Sequence, residues 1–213
     1  MEVLHAALTR RSIRKFLEIP IEMEKIGHML EAAKHTPSAG NLQPWKFIII
    51  TDEDMRKKLG EACLQQHWIS RAPVHIVVVA EPHKPKRFYG ERGEKLYAFL
   101  ECGAAIENML LTAHEDGLGT CWVSAFEEDM LTRELGIPGN VKPVALIAIG
   151  YPDEIVSPPP KFLIENITYI ESWGSSAKDF GAYYGYTSQH VQRLIKEGKL
   201  LLKKVTEKLE RVK

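Results

Sequence analysis

Apolar residues recur along this chain at two different periods, and each period predicts one kind of secondary structure. A spacing of three or four residues predicts amphipathic helices over 3–8, 21–35, 53–62, 97–115 and 127–135. Short runs rich in β-branched residues are typical of buried strands and predict them over 46–51, 74–80, 120–123 and 141–150. This order of elements predicts an α+β fold in which helices wrap a mixed central β-sheet.

The helix predicted over 97–115 is apolar around more than one stripe. A helix of that kind is buried on more than one side, as in the centre of a domain or at a subunit interface. Two other segments have weaker patterns. We expect 65–69 to form a short helix, and we expect 82–90, which contains Pro82 and Pro85, to be an exposed, mobile loop.

Length and charge narrow the classes of protein to consider. The 213 residues suit one domain, or one domain with an appendage, and 28 Lys and Arg balance 28 Asp and Glu. A formal net charge of zero gives no bulk electrostatic attraction to nucleic acid. We find no signal peptide before the first helix, and no apolar run reaches the roughly 18 residues that a membrane span needs. We therefore expect a soluble protein of the cytoplasm that binds neither nucleic acid nor membrane.

The three cysteines, Cys63, Cys102 and Cys121, are widely spaced and form no CxxC motif, so neither a disulfide framework nor a metal site is predicted. Cys121 stands beside Trp122 and could be a redox thiol. Because no second cysteine lies within sequence range to resolve it, a core residue is the favoured interpretation. We expect Trp45 to be a core aromatic as well, whereas Trp122 could belong either to the core or to a site.

A polar loop, residues 37–43, separates the second predicted helix from the first predicted strand. Pro37 restricts the backbone of this loop, and Gly40 permits a positive φ. Uncharged donors and acceptors come from Ser38, Asn41 and Gln43. The loop could grip the edge of a flat polar heterocycle, or it could be an ordinary connection, since these residue types are common in loops.

A basic segment, residues 10–16, lies about 25 residues before the polar loop. Alternate residues of an extended segment point the same way, so Arg10, Ser12 and Arg14 should converge on one side. Guanidinium groups match phosphate oxygens bidentately. The basic segment could therefore bind a phosphate, or it could be a solvated basic turn.

Four motifs, in their order and spacing, resemble those of the nitroreductase family, which comprises flavin-dependent NAD(P)H oxidoreductases. They are Arg10-Arg11-Ser12-Ile13-Arg14-Lys15-Phe16, Pro37-Ser38-Ala39-Gly40-Asn41-Leu42-Gln43-Pro44-Trp45-Lys46-Phe47, Gly117-Leu118-Gly119-Thr120-Cys121-Trp122 and Ile149-Gly150-Tyr151-Pro152. The resemblance covers roughly residues 3–173. It implies a nitroreductase-like fold, an intertwined homodimer, and FMN bound without the GxGxxG fingerprint, which this chain lacks.

The resemblance also implies a cofactor role for particular residues of the first two motifs. The FMN phosphate and a polar edge of the ring would be held by residues of the basic segment: Arg10, Arg11, Ser12 and Arg14. The polar loop would lie against the flavin, often from the partner subunit, through Pro37, Ser38, Ala39, Asn41 and Gln43.

Three later positions complete the implied flavin site. A segment that runs along the ring near its reactive nitrogen is matched by Trp122, Val123 and Ser124, where the family often has glycine in place of Ser124. Gly150 matches the turn after the last strand. Lys161 stands where the family usually carries a basic residue that closes on the phosphate.

The implied function is an FMN-dependent oxidoreductase. NAD(P)H would be the co-substrate, and a nitroaromatic, quinone or similar small molecule would be the electron acceptor. No side chain is expected to be catalytic, because the flavin carries the chemistry. Two alternatives stay open. One is a specialised superfamily member, such as a reductive dehalogenase or a flavin-consuming enzyme, and the other is a non-catalytic flavin-binding sensor.

Residues 174–213 lie beyond the resemblance, so the predicted domains are a flavin-binding domain over 1–173 and a C-terminal extension. After Ser188, apolar residues at helical spacing and an excess of Lys and Arg predict a basic amphipathic helix. Such a helix could bind a membrane surface or nucleic acid. The favoured interpretation is that it packs on the body of the protein or on a partner subunit.

Overall fold

The computed structural model of the chain describes residues 2–176. The chain divides into two compact units, Met1–Pro158 and Pro159–Lys213. The described part of the second unit contains a 3-10 turn at Ile164–Asn166 and a bridge between Tyr169 and Ser176. The helix predicted after Ser188 lies outside the described residues.

Four strands of the first unit form one sheet in the order β1-β2-β4-β3, and every neighbouring pair is antiparallel. The strands are β1 Trp45–Ile50, β2 Val74–Ala80, β3 Gly119–Val123 and β4 Lys142–Gly150. A parallel bridge joins Ser12 to Thr120 of β3. The predicted α+β class is confirmed, and within 2–176 parallel pairing enters this sheet only through that bridge.

Within residues 2–176, six α-helices surround the sheet: α1 Val3–Thr9, α2 Met23–Lys34, α3 Glu53–Ala62, α4 His83–Arg92, α5 Ala98–Glu115 and α6 Glu128–Leu135. Local chemistry explains several of their ends. Asp52 caps α3 by accepting a hydrogen bond of 2.8 Å from the Met55 N–H. Gly117 follows α5 with a φ of 77°, a conformation that favours glycine.

Periodicity located the five predicted helices and all four strands to within two residues at each end. Two other predictions were wrong. Residues 82–90 are not a loop, because α4 occupies His83–Arg92 and is followed by a π-helical turn at Gly93–Tyr97. Pro85 lies in the first turn of α4, where its missing N–H costs no helical hydrogen bond.

The second wrong prediction is the short helix at 65–69. Leu64 and Gln65 both have a φ of 57°, which interrupts any helix, and only a 3-10 turn at Ile69–Arg71 follows.

The core has two parts, one on each face of the sheet. Alternate residues of β2 point to opposite faces, so Ile76 and Val78 meet α2 and α5, whereas Val77 and Val79 meet α3 and α6. Trp45 is buried in the first part, which confirms its prediction as a core aromatic. Within residues 2–176, no helix is both long enough and apolar enough to span a membrane.

Candidate functional site

The basic segment is docked against the edge of the sheet by its backbone. Ser12 bridges Thr120, and the Ile13 N–H donates to the Thr120 carbonyl at 2.9 Å. Further along, Phe16 bridges Pro152. The basic segment therefore runs beside β3, whose end carries Trp122, Val123 and Ser124.

Two glycines make this docking possible. A Cβ on Gly119 would lie 2.9 Å from Ile13 Cγ1, and a Cβ on Gly150 would lie 2.7 Å from Phe16 Cδ1. Both distances are shorter than van der Waals contact allows. Gly150, predicted from the motif at the end of β4, is thus required for the close approach of the basic segment.

The three arginines of the basic segment have different surroundings. Arg11 donates from Nη1 to the carbonyls of Leu8 at 2.8 Å and of Arg10 at 2.7 Å, so part of its hydrogen-bonding capacity is used locally. Arg10 Nε lies 3.8 Å from Glu107 Oε1, and it is buried without a hydrogen-bond partner in the described part of the chain. The exposed Arg14 places its guanidinium 5.8 Å from the ring centre of Trp68.

Arg10 and Arg14 are both close enough to β3 to influence Cys121. Their charges act to lower the pKa of its thiol, but burial has the larger effect, and the pKa is raised overall. A buried thiol with a raised pKa is a poor nucleophile. This supports the interpretation of Cys121 as a core residue. Cys63 and Cys102 are buried too.

Glu154 was not singled out from the sequence, yet it anchors the basic segment. Its Oε1 accepts hydrogen bonds from the backbone N–H groups of Arg14 at 2.5 Å and Lys15 at 3.0 Å. The pKa of Glu154 is lowered, mainly by the bond from Arg14. Because Glu154 lies two residues beyond the Gly150–Pro152 motif and its partners are backbone groups, no side-chain pattern could have revealed it.

Trp122 points away from the core, with 38% of its surface exposed, whereas Val123 is buried. The indole Nε1–H of Trp122 donates to Ser124 Oγ at 2.8 Å. A Cβ placed on Gly103 of α5 would lie 3.6 Å from the Trp122 ring. Trp122 is therefore half-exposed at the end of β3 and lies against α5.

The polar loop has an unusual backbone. Gly40, Asn41 and Gln43 have φ values of 58°, 57° and 48°, and left-handed conformations are unfavourable for residues other than glycine. Internal hydrogen bonds support this shape: the Gln43 N–H donates to Ser38 Oγ at 3.0 Å, and its side-chain amide donates to Asn41 Oδ1 at 3.1 Å. The side chains of Ser38, Asn41 and Gln43 thus take part in holding the loop together.

One carboxyl group ties the polar loop to the rest of the protein. Oε1 of Glu101, on α5, accepts a hydrogen bond of 2.8 Å from the Ala39 N–H. Within residues 2–176, this is the one hydrogen bond between residues 37–43 and another element. About two turns further along α5, Asn108 Nδ2 donates to Thr36 Oγ1 at 2.8 Å, just before the loop.

The two predicted parts of the site meet α5 on opposite faces. Glu101 and Asn108 face the polar loop, whereas Gly103 and Glu107 face Trp122 and Arg10. Residues 101 and 103 are about 200° apart around a helix axis. The structure brings the basic segment together with β3 in one chain. Within residues 2–176, no hydrogen bond or ion pair joins the basic segment or β3 to the polar loop.

The remaining predicted residues add little to this arrangement. Pro37 is the first residue of the polar loop and precedes the 3-10 turn at Ala39–Asn41. It makes no hydrogen bond within residues 2–176. Lys161 belongs to the second unit. Within residues 2–176, no three His, Cys, Asp or Glu side chains are grouped as metal ligands.

Comparison with known proteins connects this geometry with one family. The nitroreductase family model matches residues 7–71 and 63–151. A protein of Archaeoglobus fulgidus that carries the name NADH dehydrogenase/NAD(P)H nitroreductase is 39% identical over 157 residues, which cover 72% of this chain and 87% of that protein. The FMN reductase [NAD(P)H] of Bacillus subtilis is 27% identical over 185 residues, covering 81% and 74% of the two chains.

The fold leads to the same family. The crystal structure of a nitroreductase family protein from Clostridium novyi superposes with a TM-score of 0.67 at 30% identity, and the match covers 83% of this chain and 97% of that one. The motifs of the sequence and the arrangement of the elements are therefore similar to the same set of proteins.

Proposed function

Because the chain belongs to the nitroreductase family of oxidoreductases, we propose that it binds FMN and uses NAD(P)H to reduce nitroaromatics, quinones or similar small acceptors. Names of relatives support both parts of the proposal, since one is called an NAD(P)H nitroreductase and another an FMN reductase. When bound, FMN supplies the centre that accepts a hydride and passes electrons on. The chain supplies binding, orientation and shielding from water.

The observation that carries the proposal is the docking of the basic segment beside β3. It places Arg10 and Arg14 near one end of the sheet, and the buried Nε of Arg10 has no hydrogen-bond acceptor among the described residues. A phosphate oxygen is a suitable acceptor for such a group. We assign the phosphate mainly to Arg10 and Arg14, because Arg11 already donates to two carbonyls. Ser12 would hold a polar edge of the ring, and the role of Lys161 stays a prediction.

A homodimer with composite flavin sites would explain why α5 separates the two halves of the predicted site. In this arrangement, the basic segment, Trp122, Val123, Ser124 and Gly150 of one subunit would face Pro37, Ser38, Ala39, Asn41 and Gln43 of its partner. Apolar side chains support such an interface, since Leu4 of α1 and Leu100 of α5 are 59% and 60% exposed. A contiguous exposed apolar patch marks a protein–protein interaction site, and α1 packs against α5.

The direct test is to purify the protein, release its ligand by denaturation, and measure the ligand's absorbance and mass. We expect about one FMN per chain and, in sedimentation, a species near twice the 24.2 kDa chain mass. A colourless protein that also fails to bind added FMN would refute the proposal. A stable FMN-loaded monomer would refute the composite site alone.

Turnover separates the proposed enzyme from its alternatives. Steady NAD(P)H consumption with FMN and a quinone or nitroaromatic is expected of the enzyme, whereas a flavin-binding sensor would show none. A screen of acceptors, with the flavin assayed for destruction, would identify a specialised family member.

Three further points stay predictions: the domain boundary at Trp173, the packing of the C-terminal extension, and a location in the cytoplasm.

A further inference from the structure

Glu101 is an ionisable residue of α5 that is surrounded by apolar residues. Only 9% of its surface is exposed, and Ala98, Cys102 and Ala105 around it are fully buried. Its Oε2 atom is buried and has no hydrogen-bond partner in the described part of the chain. A buried oxygen without a donor is unfavourable, so an apolar side chain would serve the stability of α5 better than this one does.

The other carboxylate oxygen of Glu101, Oε1, explains why this position carries a glutamate. Oε1 accepts from the Ala39 N–H, which is the one hydrogen bond that links the polar loop to another element within residues 2–176. The backbone of that loop includes two non-glycine residues at positive φ, Asn41 and Gln43. Such conformations persist only where the surroundings hold them.

We propose that Glu101 is a positioning residue that fixes the polar loop in the shape that binds flavin. This inference rests on the proposed function, because the loop's role toward FMN belongs to that proposal. Glu101 acts through Ala39 and need not touch the ligand. Glu101 holds the polar loop in its binding shape before FMN arrives, so that binding does not have to order the loop. Preorganisation of this kind raises the affinity for FMN.

The donor side of the bond can be removed independently of the acceptor side. Ala39 is the first residue of a 3-10 turn, and Ser38 before it is extended, with φ −142° and ψ 150°. Proline is tolerated at the start of a helical turn and favours an extended residue before it. Ala39→Pro should therefore delete the N–H while leaving the turn intact.

The test compares four variants with the wild type in FMN titrations of the apoprotein, followed by flavin absorbance and by thermal melting. We expect Glu101→Leu to weaken FMN binding about tenfold while the melting temperature of the apoprotein does not fall. Glu101→Gln keeps a carbonyl oxygen for the Ala39 N–H and should restore most of the affinity. Ala39→Pro should weaken binding as Glu101→Leu does, and the double variant should be no weaker than either single variant.

A matched control is Glu61→Gln, which changes an exposed glutamate of α3 and should alter nothing. Several results would overturn the inference: unchanged affinity in Glu101→Leu, additive losses in the double variant, or an equal loss in Glu101→Gln. A fall in melting temperature that parallels the loss of affinity would assign Glu101 to general stability instead. If the wild type itself does not bind FMN, the proposed function fails first, and the two failures are thereby distinguished.

Discussion

The basic segment and the polar loop lie on opposite sides of α5, and they are held in different ways. The basic segment is paired with the edge of the sheet: backbone hydrogen bonds join Ile13 to Thr120 and Asp153 to Lys15, both at 2.9 Å. The polar loop is supported mostly from within, and a single bond to Glu101 connects it to another element of the described chain. Sheet pairing thus positions one half of the proposed site, whereas the other half is supported by its own hydrogen bonds and by the bond to Glu101.

This difference has a consequence for mutations. A segment held by backbone pairing and close packing should respond to changes in volume, and substitutions of its side chains should affect ligand binding more than folding. A loop held by its own hydrogen bonds and one anchor should tolerate changes of side chain but respond to loss of the anchor. Four predictions test this contrast.

Gly150→Ala should disrupt the docking of the basic segment. The added Cβ would lie 2.7 Å from Phe16 Cδ1 and 2.9 Å from Pro73 Cδ, and overpacking of this kind costs about 1–3 kcal/mol. We expect urea denaturation to give a lower free energy of unfolding and FMN titration to give weaker binding. Gly139→Ala is the control, because nothing lies within 4 Å of its added Cβ. Equal stability of the two variants would contradict the tight docking.

Arg10→Ala and Arg14→Ala should each weaken FMN binding roughly ten- to a hundredfold, since a hydrogen bond to a charged group contributes about 1.5–3 kcal/mol. Arg11→Ala should have a smaller effect, because its guanidinium donates to the carbonyls of Leu8 and Arg10. Fluorescence titration of the apoproteins measures all three. If Arg11→Ala proves the most damaging of the three, our assignment of the phosphate to Arg10 and Arg14 is wrong.

Acid should loosen the anchor that Glu154 provides to the basic segment. The pKa of Glu154 is lowered from 4.5, chiefly by the Arg14 N–H. A carboxyl with a lowered folded-state pKa contributes stability that is present above pH 4.5 and is lost as the pH falls through the lowered value. We therefore expect the stability difference between the wild type and Glu154→Gln to be constant at neutral pH and to change only below pH 4.5. A difference that varies around neutral pH would point to another group.

Gln43→Gly should have the smallest effect. The φ of Gln43 is 48°, which glycine adopts without strain, and its backbone N–H would still donate to Ser38 Oγ. Relief of the strain offsets the greater freedom that glycine gives the unfolded chain, so we expect a change in unfolding free energy below about 1 kcal/mol. Thermal melting measures it. A large loss would mean that the Gln43 amide, bonded to Asn41, holds the polar loop more firmly than Glu101 does.

Prediction from the sequence succeeded where the information was local. Apolar periodicity located α5 and β2, and four short motifs indicated the nitroreductase family. It failed at α4, where two prolines and a cluster of charges are typical of a loop. There a helix forms nonetheless, with ion pairs from Lys84 to Glu81 and from Lys86 to Glu94. Lys84 and Glu81 are neighbours at helical spacing, but Lys86 and Glu94 meet across the break at Gly90, where φ is 59°, so that pair depends on the folded geometry.

Local patterns in the sequence are enough to specify the α+β class, the order of the elements and the residue types of the proposed flavin site, because hydrophobic period and turn chemistry act over a few neighbouring residues. Which of those residues meet depends on the tertiary structure. Glu101 and Gly103 are two positions apart in sequence, yet helix geometry turns one toward the polar loop and the other toward Trp122. Glu154 reaches the backbone of Arg14, 140 residues away, because the sheet brings the two segments side by side. Contacts of that range depend on packing, and packing is a property of the whole fold.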